Sequence, residues 1–457
     1  MITLKGYEDI IEKIYSYKQE HVFEYWSELS DSEKTVLLKE LSEVDFELLK
    51  KLYSLNEEIV PSVFEPAPFI RKPSNEKEKQ TFADAEKEGI KHIKAGKVAA
   101  FIVAGGQGSR LGFDGPKGKF PAGPVSGKSL FHFHGEKIYA ASKKYSTTIP
   151  YLIMTSTDNH EETIAFFEEE NFFGLSRNDV YFFKQNMIPS LDDKGNLVLS
   201  EKNRLFRNPD GHGGSITALE SSGVLDILKK RGIETLSYFQ VDNPLVKIID
   251  PLFIGFHIIH SADISSKALI KAYAEEKTGV FVKFPNNKTG IIEYSDMPEE
   301  KLHLKDSKGN LSYSAANPAI HLFSISFIEK ITTAEKTLPY HTARRDIKVL
   351  KKGEYKTVNG YKFEKFVFDA LPIAEKDIIL ETERHEEFAP IKNSKGIDSP
   401  DSAAELMHNL HSSWLVSKGI KIPDKVKIIE ISPLLSVDGS NLDSNIIIPE
   451  KEKVFLE

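Results

Sequence analysis

The chain has 457 residues, 40% of them hydrophobic and 28% charged, a formal net charge of -8, and no cysteine. That length exceeds one ordinary core and favours a large domain with smaller ones attached, and the composition excludes a disordered chain. Without cysteine there are no disulfides, thiolate nucleophiles or cysteine-based zinc and iron–sulfur sites, so any metal must bind through oxygen or imidazole. The acidic balance speaks against general affinity for nucleic acid. No apolar run approaches the ~20 residues of a membrane helix, the longest being 98–104, so no membrane partner is expected. The opening segment, MITLKGYEDIIEKIYSYKQEH, mixes charges among its apolar residues and lacks the core of a signal peptide, which makes a cytoplasmic location the expectation.

From the amino terminus to about residue 60 the apolar spacing is helical, with Ile10, Ile11, Ile14 and Tyr15 on one face and a leucine-rich continuation over 37–52. Pro61, Pro66, Pro68 and Pro73 mark an ordered linker before an amphipathic helix near 84–95. VAAFIVAGG, beginning at Val98, reads as a buried strand running straight into glycines. Strands and helices then alternate to about residue 260: YLIMTST, a helix over 158–167, VYFFKQ, a helix over 215–230, and LSYFQVDN. Such alternation needs crossover connections and hence a mainly parallel (mixed) sheet. Its ligands belong at the carboxyl ends of the strands, where the glycines and Asp242 both fall. GVFVKFPNNKTGIIEYSD, 279–296, reads as two strands about an Asn-rich turn that extend the sheet over the site. After about residue 395 a helix over 403–414 leads into VKIIEIS and a polar, turn-rich tail. The expected class is α/β, with a helical amino-terminal domain over 1–95, an α/β domain over 96–394 and a small carboxy-terminal domain over 395–457.

The most informative segment is AGGQGSRLGFDGPKGKFPAG, 104–123, where glycines expose backbone N–H groups and Arg110, Lys117 and Lys119 add positive charge. Oriented amides and nearby cations together make a cradle for phosphates, and without an anion the three cations would repel one another. Two familiar motifs fail on spacing. A dinucleotide fingerprint begun at Gly106 and Gly108 would need glycine where Leu111 stands, and GPVSGKS, 123–129, has three residues rather than four between its glycines, so it is not a P-loop.

AGGQGSRLGFDGPKG resembles the signature of the UDP-sugar pyrophosphorylases, and within them the chain resembles the eukaryotic-type UDP-N-acetylglucosamine pyrophosphorylases. Further matches follow in order: FFKQNMIPSLDDKG, NPDGHGG, VDNPLVKIIDP, IIEYSD, AANPAIHLFS, KFEKFVFDAL and EEFAPIKN, together spanning roughly residues 95 to 415. The resemblance implies a nucleotide-diphospho-sugar transferase-like core with amino- and carboxy-terminal additions. It implies UTP and a sugar 1-phosphate as substrates, Mg²⁺ as cofactor, and a monomer or weak homo-oligomer. The implied reaction is attack by an already ionised phosphate oxygen on the α-phosphorus of UTP. It needs no general base, and catalysis reduces to holding anions together and stabilising charge on the phosphates.

Carried over residue by residue, the resemblance implies that Ala104, Gly105 and Gly106 contact uridine and phosphates. Arg110, Lys117 and Lys392 are the implied catalytic cations, and Lys392 of FAPIKN reaches the phosphates from the carboxy-terminal side. Gln185 reads the uracil edge and Gly211 packs beneath the base. Asp242, ending LSYFQVDN, is the implied Mg²⁺ ligand, in keeping with an ion that takes one or two carboxylates plus phosphate oxygens and water. Asn243 either orients Asp242 or touches ribose. Glu293 and Asn317 hold sugar hydroxyls, while Phe366 and Phe368 form either an apolar wall beside the sugar or ordinary core.

His212 departs from the pattern, since GlcNAc-directed members often carry Asn there and enzymes acting on glucose or galactose phosphates show His. Imidazole can donate one hydrogen bond to a sugar hydroxyl or a uridine group, and no neighbouring ligand spacing supports a zinc reading. A UTP–glucose-1-phosphate or broad UDP-sugar pyrophosphorylase is therefore the rival enzyme, and a non-catalytic nucleotide-sugar binding protein the rival of another class. The full set Arg110, Lys117, Asp242 and Lys392 argues against the latter. His257 and His260, in HIIH, fall in an apolar helical pattern and read as structural.

Overall fold

The computed structural model describes residues 2–54, 63–333 and 337–457, so Pro61 of the proline-rich stretch lies outside the described residues. Two compact units emerge, each assembled from three stretches of chain. The smaller comprises Met1–Val60, Gln185–Ser215 and Leu338–Val367, and the larger Pro61–Lys184, Ile216–Thr337 and Phe368–Glu457.

The larger unit is built on a mixed sheet of strands β1 (Glu65–Pro66), β2 (Val98–Val103), β3 (Tyr151–Thr155), β4 (Val180–Lys184), β5 (Thr235–Gln240), β6 (Ile264–Ile270), β7 (Val280–Lys283), β8 (Thr289–Ile292), β9 (Ala315–Ala316), β10 (His321–Ser324) and β11 (Asp377–Glu381). Their order is β1-β7-β9-β6-β10-β5-β2-β3-β4, with β8 paired to β7 and β11 to β6. Strands β5, β2, β3 and β4 run parallel, which is the half where strands and helices alternate in sequence. From β10 onward the pairings are antiparallel, apart from β6 with β11. Every residue of β2 and β3 is buried, as parallel strands covered on both faces must be. The Asn-rich segment forms the expected hairpin, β7 and β8, and joins the sheet edge.

Four helices matter to the site: α1 (Glu76–Lys94), α2 (Leu130–Tyr145), α3 (Pro251–Ile259) and α4 (Pro400–Ser417). The single helix expected over 215–230 is two, Gly214–Ser221 and Val224–Lys230, because Gly223 takes a left-handed φ of 76° that no continuing helix allows. Helix α3 carries His257, buried with Nδ1 2.7 Å from Ser265 Oγ, a structural role as expected. Helices α1 and α3 meet backbone to backbone, for a Cβ at Gly255 would lie 1.7 Å from the Ala85 carbonyl oxygen and one at Gly89 1.8 Å from that of Pro251.

The domain boundaries differ from expectation. Residues 61–95 belong to the larger unit, while the amino-terminal helices Glu8–Ser16, Asp31–Ser42 and Phe46–Ser54 share a core with strands of the smaller one. Ile14, Leu38, Leu41 and Leu49 pack with Ile188, Leu199, Leu205, Tyr361 and Phe363, so these helices bury their apolar faces on distant segments and form no domain alone. That core includes a long hairpin, His341–Lys351 against Glu354–Glu364, which the sequence reading missed. The carboxy-terminal segment has a small core of its own around Leu415, Ile429, Ile431 and Val454, but α4 also gives Ala403, Met407 and Leu410 to the main core, which ties it to the larger unit.

Since a Cβ 1.7 Å from a carbonyl oxygen cannot be seated unless the two helices move apart, Gly255→Ala is expected to lower the unfolding free energy by about 3 kcal/mol in urea titrations.

Candidate active site

Register brings the chemistry together in the larger unit. Val103 of β2 lies opposite Gln240 of β5, so the chain leaves two neighbouring parallel strands at the same edge, as the glycine loop on one side and the turn 241–247 on the other. The Val241 N–H donates to Val103 O at 3.2 Å and the Ala104 N–H to Met154 O at 2.8 Å, extending the ladder into both segments. The loop is itself ordered. Asn159, buried before the helix His160–Glu169, donates from Nδ2 to Ala104 O at 2.9 Å and Gly106 O at 3.4 Å. The Lys117 N–H donates to Gly106 O and the Gly108 N–H to Gly115 O, folding 106–117 back on itself. A side chain at Gly106 would meet only open space, which leaves its backbone accessible to a ligand.

The cations of the loop are not left to repel. Lys117 Nζ lies 3.4 Å from Asp242 Oδ2, with the two side chains only 12% and 15% exposed, and Lys119 pairs with Glu162 at 2.6 Å. Arg110 is exposed and has no ion-pair partner among the described residues. Asp242, Asn243, Asn317 and Lys392 line one cavity of about 710 Å³ at the strand ends. Lys392 stands across from Asp398 at 3.9 Å, and the Ile391 N–H donates to Asp242 O at 2.8 Å, so the two predicted site segments are hydrogen-bonded to each other.

At Asn243 and at the two phenylalanines the structure bears on alternatives that the sequence left open. Asn243 spends its amide on the protein, donating from Nδ2 to Glu387 O at 2.7 Å and accepting at Oδ1 from the Leu245 and Ala389 N–H groups, so it shapes the turn that presents Asp242. Phe368 is buried in the larger unit and Phe366 belongs to the smaller, where its ring lies 4.5 Å from that of His341 and 5.5 Å from that of His212. Asn317 and Glu293 do share surroundings. The Asn317 N–H donates to Gly279 O at 2.9 Å, and a Cβ on Gly279 would sit 2.8 Å from Glu293 Oε1. Burial, then the neighbouring Asp296 and Asp369, raises the Glu293 pKa. The GPVSGKS loop does bind an anion, but an internal one: the Val125 and Ser126 N–H groups donate to the buried Glu430 carboxylate at 2.8 and 2.9 Å.

Gln185, Gly211 and His212 fall in the smaller unit. Gln185 Nε2 donates to Gly211 O at 2.6 Å, joining the two residues expected at the base. Gly211 is fixed by the backbone rather than by a ring: its φ is 82°, and a Cβ there would come within 2.4 Å of Lys365 O. The Val367 N–H donates to His212 Nδ1 at 3.3 Å, so Nε2 carries the ring proton, and burial lowers the His212 pKa to about 4.

Sequence reasoning passed over Asn159, Asp398 and the pair formed by Arg384 and Glu276, 2.6 Å apart on the cavity wall. Asn159 stands one residue after the Asp158 taken to open its helix; Glu276 and Asp398 sit in loops and Arg384 opens the short helix Arg384–Glu387, with no motif to mark any of the three. For His212 the unfolded chain, with an ordinary pKa near 6.5, takes up the proton first. The stability resting on its neutral form is thus complete above about 6.5 and lost as the pH falls through about 4. Ring ¹⁵N shifts are expected to show the Nε2–H tautomer of His212 unchanged from pH 8 down to about 5.

The family model described as UTP–glucose-1-phosphate uridylyltransferase matches residues 65–444. Among full-length relatives, UDP-N-acetylglucosamine diphosphorylase 2 of Arabidopsis thaliana is 35% identical over 97% of this chain and 92% of its own length. A probable UDP-N-acetylglucosamine pyrophosphorylase of Dictyostelium discoideum is 35% identical over 97% of both chains. The crystal structure of the uridine diphosphate N-acetylglucosamine pyrophosphorylase of Trypanosoma brucei, in complex with an inhibitor, superposes with a TM-score of 0.86 at 27% identity, covering 100% of this chain and 99% of that one. With a matched model over most of its length and relatives of this kind, the chain belongs to the UTP–glucose-1-phosphate uridylyltransferase family and, within it, to the UDP-N-acetylglucosamine pyrophosphorylases.

Proposed function

We propose that the protein joins UTP to N-acetylglucosamine 1-phosphate, forming UDP-N-acetylglucosamine and pyrophosphate with Mg²⁺ as cofactor. The observation that carries this is the Lys117–Asp242 contact between the glycine loop and the turn after β5, beside a cavity that also holds Asn317 and Lys392. An oxygen of the sugar phosphate forms a bond to the α-phosphorus while the bond from that phosphorus to the bridging oxygen breaks, and the electron pair leaves with pyrophosphate. The nucleophile is already ionised, so no residue has to take a proton.

The residues present suit Mg²⁺. Among the described residues no cluster of three His, Asp or Glu side chains could hold a metal alone, and Asp242 offers one shielded carboxylate facing the cavity. That is the donor set for an ion arriving with a nucleotide, whose remaining positions phosphate oxygens and water fill. Asp242 would hold it, and a bound Mg²⁺ supplies neutralisation of charge on the phosphate oxygens. Lys117 then turns from Asp242 to the phosphates, Lys392 turns from Asp398, and Arg110 is free to meet the leaving group. Each donates to oxygens whose charge grows during the reaction, which is where a fixed cation lowers the barrier. Gln185 pairs with the imide edge of uracil, while Glu293 and Asn317 take sugar hydroxyls. The neutral Nε2–H form of His212 is an N–H donor, as the side-chain amide of Asn also is, so the histidine is compatible with an N-acetyl sugar.

Pyrophosphate release from UTP and Mg²⁺ is expected to show the highest kcat/KM with N-acetylglucosamine 1-phosphate when compared with glucose 1-phosphate and galactose 1-phosphate, by about tenfold or more. Preference for the unacetylated sugars would keep the chemistry and overturn the sugar; no release with any of the three would overturn the reaction.

A further inference from the structure

Helix α2 continues the chain that carries the glycine loop, and two of its side chains, one turn apart, reach the opposite half of the site. His134 Nε2 lies 3.0 Å from Val241 O and, since a carbonyl only accepts, carries the ring proton. Lys137 Nζ donates to Pro244 O at 2.5 Å and to Val246 O at 3.0 Å. These three acceptors bracket Asp242 in sequence. The far side of the same turn is held by other means: Asn243 to Glu387 and Ala389, the Ile391 N–H to Asp242 O, and the Lys247 N–H to Glu387 Oε1 at 3.1 Å. Glu387 is in turn fixed by the buried Lys267, which also bonds Asp250 at 2.7 Å.

These two sets of restraints differ in what they tie together. The Glu387 set ties the turn to the segment that carries Lys392. Among the described residues, the hydrogen bonds that tie it to the helix following the loop with Lys117 come from His134 and Lys137. Lys137 is costly to keep for packing alone, since its enclosed ammonium has no ion pair with a carboxylate among the described residues and burial lowers its pKa to about 7. An apolar side chain would fill the narrow space against Leu245, Met407 and Trp414 without that cost. What an apolar chain lacks is a donor for two carbonyls at once.

We propose that Lys137, with His134 beside it, is a positioning residue of the active site: by pinning the carbonyls on either side of Asp242 to α2, it sets the distance between the Asp242 carboxylate and Lys117. The inference rests on the reading of Asp242 as the group that holds the divalent ion.

The test uses the full chain with Lys137→Met, His134→Gln and His134→Leu. Gln presents an Nε2 donor near the place of the imidazole one, and Leu presents none. Binding of Mn²⁺ to the protein–UTP complex, followed by the electron paramagnetic resonance of free Mn²⁺ with no sugar phosphate present, gives a readout independent of turnover. Lys137→Met and His134→Leu are expected to weaken Mn²⁺ binding several-fold and lower kcat by about tenfold or more. The KM for sugar phosphate should stay within about twofold and His134→Gln close to the parent. Folded Lys137→Met with parental Mn²⁺ binding and kcat would overturn the proposal, as would equal damage from His134→Gln and His134→Leu. If Lys137→Met does not fold, the His134 pair decides alone. Should the parent make no product, the proposed reaction fails, while the Mn²⁺ comparison still decides whether the brace positions Asp242.

Discussion

Two parallel strands lying in register, β2 beside β5, are the constraint on which the rest of the larger unit depends. Because Val103 and Gln240 face each other, the glycine loop and the Asp242 turn leave the sheet side by side, and a lysine from one can reach a carboxylate from the other across 3.4 Å. Crossover helices follow from the parallel pairing, and their covering of both faces explains why β2 and β3 are buried throughout. The same geometry places α2 where its polar side chains can turn inward to the Asp242 turn rather than outward to water.

This site keeps its charges in pairs. Lys117 rests on Asp242, Lys119 on Glu162, and Lys392 near Asp398, while Arg110 stays in water. Cations gathered this closely would otherwise repel one another and open the loop. Pairing keeps them in place at modest cost, and under the proposed function each carboxylate would release its lysine to a more highly charged phosphate. Burial and then the nearby Asp242 raise the pKa of Asp398, while Lys392 opposes the shift. The anion nest of the GPVSGKS loop shows the opposite outcome, with backbone donors committed to Glu430.

What could be read from the sequence was whatever local chemistry dictates. The β2 strand running into glycines, the β7–β8 hairpin and the strand end at Asp242 each combine an apolar run with a turn residue at the right place. The motif order placed Asp242, Asn317 and Lys392 before any of them could be seen to share a cavity. The long hairpin of the smaller unit stayed hidden because its strands are largely solvated and carry few apolar residues, although Lys352 and Gly353, both with positive φ, form the kind of two-residue turn that marks a hairpin. The assembly of the smaller unit from three separated stretches was illegible for a different reason: helical spacing tells that Leu38 and Leu49 are buried, not that Ile188 and Phe363 bury them. Asn243 was left between two roles because an amide suits a ligand and a backbone turn equally well until its partners are known.

Lys117 and Asp242 are assigned here as parts of one charge-handling unit, and a double-mutant cycle on kcat/KM with Lys117→Met, Asp242→Asn and the double variant tests that assignment most directly. If the two act together on the phosphates, the double variant loses less than the sum of the single losses, with a coupling energy of about 1 kcal/mol or more. Additivity within about 0.5 kcal/mol would contradict it, leaving the 3.4 Å contact with no part in the reaction.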